Sequence, residues 1–145
     1  MTRIEASVMI DRSAEEVWRF VTDVSNFSKW DKGVIESKQT SVGPLGLDST
    51  MEARTQQFGA PKLRVVEYEP NRKFAYEFST GPSRGTITTF DMETVEGKSR
   101  LTLSLGLKLV GFYRLVGPMV ASRMKRRLGE NLGNLKRTLE SGAKL

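Results

Sequence analysis

The sequence predicts an α+β domain in which one antiparallel sheet carries its helices on its inner face. Three observations lead there. Residues 34–109 alternate apolar and polar with period two and are broken by turn signals, whereas the segments before and after them repeat every three to four residues. The order is strand, two short helices, six strands and one long helix, which separates helices from strands instead of alternating them. At 145 residues the chain has the length of one domain, spanning 1–145.

Each element has its own signal. In 4–10, Ile4, Ala6, Val8 and Ile10 share one strand face, with Glu5 and Ser7 on the other. Ser13-Ala14-Glu15-Glu16 fits a capping box that opens a helix over 13–22, burying Val17, Phe20 and Val21. Asp23 to Trp30 reads as a second short helical turn with Val24, Phe27 and Trp30 spaced three apart, ended by Gly33. Six strands follow near 34–42, 49–58, 62–69, 72–79, 84–95 and 99–109, separated by Gly43-Pro44, Gly59-Ala60-Pro61, Pro70-Asn71, Gly81-Pro82 and Glu96-Gly97-Lys98. The last is the plainest, since Leu101, Leu103, Leu105, Leu107 and Leu109 alternate with polar or small residues. From Gly111 to about Leu139 the period is helical. At about 100° per residue Gly117, Ala121, Met124, Leu128, Leu132, Leu135 and Leu139 fall on one stripe, and Pro118 marks a start or a bend.

Composition narrows the chemistry. Zero Cys and zero His remove disulfides, thiolate nucleophiles, the commonest general base and most metal sites, so no metal and no cofactor is expected. No apolar run is long enough to span a bilayer and no secretory h-region is visible, which makes the cytoplasm the expected compartment. The net charge of +6 is unevenly placed: residues 1–110 hold 15 basic and 15 acidic side chains, residues 111–145 hold 8 and 2.

Several of these segments together resemble a known family. Val8-Met9-Ile10-Asp11-Arg12-Ser13-Ala14-Glu15-Glu16-Val17-Trp18, then Val21-Thr22-Asp23 and Phe27-Ser28-Lys29-Trp30-Asp31, resemble the N-terminal signature of the START/Bet v 1-like (SRPBCC) superfamily, in its bacterial polyketide cyclase/dehydrase-like branch. Val66-Glu67-Tyr68-Glu69-Pro70, Gly97-Lys98-Ser99-Arg100-Leu101-Thr102 and the long basic C-terminal helix resemble the same branch in the same order. The resemblance implies a helix-grip fold: a seven-stranded antiparallel sheet curved round the C-terminal helix, two short helices after the first strand, and a ligand cavity between sheet and helix. It carries over no catalytic motif, because this scaffold hosts carriers, receptors and cyclases alike.

Alternation proposes the inward-facing positions. Matching apolar to apolar places Met51, Ala53, Thr55 and Gln57 inside on the third strand, Phe74, Tyr76 and Phe78 on the fifth, and Thr86, Thr88, Phe90 and Met92 on the sixth, with Leu103 on the last. On the helix, Gly117 and Ala121 are the smallest residues of the buried stripe, and both lie in its first half, which leaves room against the sheet. The candidate ligand-binding set is therefore Met51, Ala53, Thr55, Gln57, Phe74, Tyr76, Phe78, Thr88, Phe90, Leu103, Gly117 and Ala121. The alternative is a filled core in which Phe20, Phe74 or Phe90 occupies that space.

Two functions follow. The first is a binding or carrier protein for a hydrophobic small molecule of lipid, polyketide or isoprenoid type, acting as a monomer or weak homodimer. The second is a cyclase- or dehydratase-like enzyme using Tyr76, Thr88 or Gln57 as hydrogen-bonding groups with an acidic base. That enzyme needs a carboxylate facing the cavity, and the pairs Glu67/Glu69 and Asp91/Glu93 lie where strands are normally solvated. Arg123, Arg126, Arg127 and Arg137, interrupted by Glu130, are expected to form a positive outer face. Beside the apolar stretch Phe112, Leu115, Val116 and Met119, that face suits docking onto an anionic membrane, while aromatic residues for nucleic-acid stacking are missing next to it and no nucleic acid is expected. Its plain reading is a solvated helix face.

Overall fold

A computed structural model describes residues 2–56, 59–81, 84–107 and 117–141. The order is β1 (Thr2–Ile10), α1 (Ala14–Val21), a 3₁₀ turn (Val24–Asn26), α2 (Phe27–Trp30), β2 (Val34–Gln39), β3 (Thr50–Thr55), β4 (Lys62–Glu69), β5 (Lys73–Phe78), β6 (Ile87–Val95), β7 (Lys98–Leu107) and α3 (Gly117–Glu140). The seven strands form one antiparallel sheet ordered β1-β7-β6-β5-β4-β3-β2, the helix-grip arrangement. Its two edges come from the first two strands, so α1 and α2 cross from one edge to the other.

Local chemistry fixes the elements. Ser13 caps α1 by accepting from the Glu16 amide at 3.2 Å, the first half of the expected capping box, while the Glu16 carboxylate accepts from the Ser13 hydroxyl and not from a backbone amide. The expected second helix divides in two: Asp23 caps the 3₁₀ turn by accepting from the Ser25 amide, and α2 ends at an extended Asp31, two residues before Gly33. Bulges between Val65 and Glu67 on β4, and between Val34 and Glu36 on β2, add twist and help the sheet curl. The β6–β7 hairpin turns at Glu96 and Gly97, both with positive φ (51° and 81°), as the two-residue turn geometry requires. Expected strand ends overrun by up to three residues at the β2–β3 and β3–β4 connections, where Gly43-Pro44 and Gly59 take over.

The core lies between the concave face and the helices. Ile10, Val17, Phe20, Val21, Val65, Phe74, Phe90, Leu101 and Leu135 are fully enclosed. Phe74 and Phe90 pack at a centroid distance of 5.6 Å, and Trp18 meets Tyr68 edge-on at 5.4 Å. The second half of α3 presses Leu128, Leu132, Leu135 and Leu139 into this core, with β1 as its main strand neighbour. Its end is tied down by polar contacts: Lys136 Nζ donates to Met9 O (2.7 Å), Glu140 Oε2 accepts from the Asp11 amide (2.8 Å), and Arg12 Nη2 donates to Glu140 O (2.9 Å).

Candidate functional site: a cavity under the first half of the long helix

Away from those leucines the sheet and α3 part, and a cavity of about 430 Å³ opens, within the range of small-molecule sites. Its walls come from Phe27 and Trp30 of α2, Ala53 and Thr55 of β3, Leu63 of β4, Tyr76 and Phe78 of β5, Thr88 of β6, Leu103 and Leu105 of β7, and Met119, Arg123, Met124, Arg127, Leu128 and Asn131 of α3, with Asp31, Gly33 and Val34 at the α2–β2 junction. Most of this surface is apolar. Phe27, Tyr76 and Phe78 form a stacked row, Phe27–Tyr76 at 5.8 Å and Tyr76–Phe78 at 6.2 Å.

The polar groups gather at one place. Asp31 follows directly on α2, whose anchors Phe27 and Trp30 are buried, and so its carboxyl is carried inward. Oδ1 accepts from the Gly33 amide at 2.8 Å and from Asn131 Nδ2 at 3.0 Å. Asn131 Oδ1 in turn accepts from the Lys32 amide, so this one amide side chain ties α3 to the chain leaving α2. No described residue donates a hydrogen bond to Asp31 Oδ2. Burial pushes the Asp31 pKa up, against the opposing pull of the Gly33 amide, the Asn131 amide and the Arg127 charge. Tyr76 sits opposite Thr88 across the β5–β6 ladder, and both line the cavity. Burial, reinforced by the nearby Asp31 charge, drives the phenol far above its ordinary pKa, so it remains a proton donor. Trp30 Nε1 is buried without an acceptor among the described residues, a loss of about 1–3 kcal/mol for such a group.

Of the positions that alternation proposes, Ala53, Thr55, Tyr76, Phe78, Thr88 and Leu103 line the cavity. Met51, Phe74 and Phe90 face the same way but are enclosed in packed core beside it. Ala121 is half-buried against the core and is not a lining residue. Gln57 lies outside the described residues, as do Phe112, Leu115 and Val116, and Gly117 is described only as the first residue of α3. The acidic pairs are on the outer face in ion pairs: Glu67 and Asp91 with Lys73 (3.5 and 3.9 Å), Glu69 with Arg72 (3.8 Å) and Glu93 with Arg100 (3.6 Å). Arg54 and Arg64 pair with Glu36 and Asp48 and do not approach Tyr76 as partners.

The expected outer face of α3 needs correction. Arg123, Arg126 and Arg137 are exposed as expected, together with Lys125, but Arg127 is half-buried, and both it and Arg123 border the cavity. The reason is angular: at about 100° per residue, Asn131 and Arg127 lie about 60° and 100° to one side of Leu128. That flank would be solvated over a filled core. Over an open cavity it faces inward. Asp31 and Asn131 escaped the sequence reading altogether, although a polar Asn beside Leu128 and Leu132 was a visible signal of a buried polar contact.

The concave sheet, the gripping helix and the mostly apolar cavity between them define a cavity-bearing protein of the helix-grip class. The sequence model of the polyketide cyclase/dehydrase and lipid transport family matches residues 1–140, and the chain belongs to that family, within the SRPBCC superfamily. Among solved structures it is similar to TTHA0849 from Thermus thermophilus (15% identity, 99% of this chain and 100% of that one, TM-score 0.82). It is similar also to the Aha1 dimer from Colwellia psychrerythraea (21% identity, 99% and 100%, TM-score 0.71). The di-domain ARO/CYC protein BexL of the BE-7585A biosynthetic pathway matches at 19% identity over 97% of this chain but only 47% of its own length, with a TM-score of 0.68. At these identities the likeness is one of fold. No curated protein matches the chain in sequence. Among the described residues no helix is long and apolar enough to cross a membrane, and no three acidic groups converge as a metal site would need.

Proposed function

We propose that this protein binds or carries a hydrophobic small molecule of lipid, polyketide or isoprenoid type in the cavity between sheet and α3, inside the cell and without a cofactor. The observation that carries the proposal is the cavity itself: about 430 Å³ of mostly apolar space with its polar groups confined to the Asp31–Asn131–Arg127 corner and the Tyr76–Thr88 pair. A folded chain gains from filling such space, because wall atoms without partners forfeit dispersion contacts. Native mass spectrometry of gently purified protein, with thermal shifts against a panel of lipids and polyketides, tests it. A co-purifying mass, or a rise in Tm with an apolar ligand, is expected. Neither a bound mass nor a shift with any apolar compound would contradict it.

One observation favours a second reading, a cyclase- or dehydratase-like enzyme in the same cavity. Asp31 is the cavity-facing carboxylate that such chemistry needs, with a raised pKa, and Tyr76 is a buried proton donor near it. In this reading Asp31 takes a proton from a carbon next to a carbonyl while Tyr76 donates to the carbonyl oxygen. Turnover of a polyketide-type β-ketone that is lost in Asp31→Asn but survives in Arg126→Gln would separate catalysis from carriage. Membrane docking of the helix start has less to stand on, since two of its basic residues line the cavity and Phe112 to Val116 lie outside the described residues.

A further inference from the structure

The mouth of the cavity carries two guanidinium groups that no carboxylate of the described residues meets in an ion pair; Arg84, Arg126 and Arg137 are likewise without one, but they are exposed and border no cavity. Seven described arginines, Arg3, Arg12, Arg19, Arg54, Arg64, Arg72 and Arg100, have a carboxylate within 4.0 Å. Arg123 and Arg127 have none among the described residues, yet both line the cavity, and Arg127 is half-buried. Four residues apart on α3, they share one helix face. The carboxylate among the lining residues is Asp31, already engaged by the Gly33 amide and Asn131. With Asp31 ionised the mouth sums to one positive charge, and with Asp31 protonated to two.

The backbone lets one of these guanidinium groups come close. A Cβ on Gly33 would sit 3.3 Å from Arg127 Nη1 and 3.3 Å from Asp31 Oδ1, so any side chain there would crowd both groups. On the other side of the corner the walls turn apolar at Leu63, Phe78, Leu103 and Leu105. Guanidinium forks match carboxylate and phosphate oxygens, and a half-buried, unpaired guanidinium gains most from such an anion.

Resting on the cavity reading above, we infer that the ligand is an amphiphile with one anionic head, a carboxylate or a phosphate, held at the mouth by Arg123 and Arg127 while its apolar body lies against Leu63, Phe78, Leu103 and Leu105. A neutral apolar ligand would leave the mouth with Asp31 as its one counter-charge to two guanidinium groups. A cationic one would meet them directly.

Displacement of a neutral fluorescent probe, N-phenyl-1-naphthylamine, by decanoate, decyl phosphate, methyl decanoate and decylammonium tests this, each compound kept below its micelle concentration. Decanoate or decyl phosphate should displace the probe at concentrations about tenfold or more below methyl decanoate. The Arg123→Gln/Arg127→Gln double variant should lose that preference while methyl decanoate binds as before, and Arg126→Gln, on the exposed face, should keep it. The better of the two anions identifies the head as carboxylate or phosphate. Equal displacement by the ester, a preference for decylammonium, or an anion preference that survives in a folded double variant would overturn the inference and leave the cavity reading standing. If the probe itself does not bind, both fall together.

Discussion

The two halves of α3 meet the same sheet and do opposite things with it. The second half delivers Leu132, Leu135 and Leu139 into the buried core, with Leu128 at the border of core and cavity, and is tied to the β1 end through Lys136, Glu140 and Arg12. The first half turns Met119, Arg123, Met124 and Arg127 toward open space. Four leucines in register make an anchor; long, polar-tipped side chains leave a roof. The molecule thus separates stability from binding along one helix, and substitutions in the two halves should behave differently.

The largest difference should come from truncation. Leu135→Ala removes a fully enclosed side chain and is expected to cost about 2–5 kcal/mol in urea unfolding, whereas Met124→Ala over the cavity should cost under about 1.5 kcal/mol. Equal losses would mean that both halves are packed alike. Enlargement is the converse and somewhat smaller effect. Val65→Phe forces a bulky ring into filled core, at about 1–3 kcal/mol, while Ala53→Phe grows into the cavity and should cost less than that.

A pH-dependent effect should follow from Asp31. Burial holds its proton more tightly in the folded chain than in the unfolded one, so ionisation there costs folding free energy: none below the ordinary carboxylate range, and the full amount above the raised pKa. Asp31→Asn removes that cost and still accepts from Gly33 and Asn131. Its Tm should exceed that of the parent at pH 7 and match it at about pH 3. A gain of the same size at both pH values would show that charge is not the cause. The smallest effect belongs to Arg126→Gln, on the exposed face, which should change stability by less than about 0.5 kcal/mol.

The contrast between the halves also explains what the sequence could reveal. Period-two leucines in β7, the Ser13–Glu16 capping box and the Leu128–Leu139 stripe are local patterns set by burial of one face, and they led to the α+β order of sheet and helices, while the helix-grip arrangement came from the family resemblance. Inward positions on β3, β5 and β6 followed from the same alternation. Asp31 did not, because its environment depends on Asn131, a hundred positions later in the chain, and an Asp after a short helix reads as a solvated cap. Arg127 was placed outside for a related reason, and Arg123, which is exposed, was not seen to border the cavity as well. A helical wheel assumes that one stripe is buried and its flanks are wet, and that fails where the stripe borders a cavity. Alternation likewise does not distinguish Ala53, which borders space, from Met51, which is packed on the same strand face.

The central claim is that space under the first half of α3 receives an apolar ligand. Equilibrium titration of N-phenyl-1-naphthylamine into the parent protein and into Ala53→Phe, with circular dichroism to show that both are folded, tests it most directly. Saturable fluorescence enhancement at one site per chain in the parent, lost or weakened at least tenfold in Ala53→Phe, is the predicted result. No saturable enhancement in the parent, or undiminished binding in a folded Ala53→Phe, would contradict it.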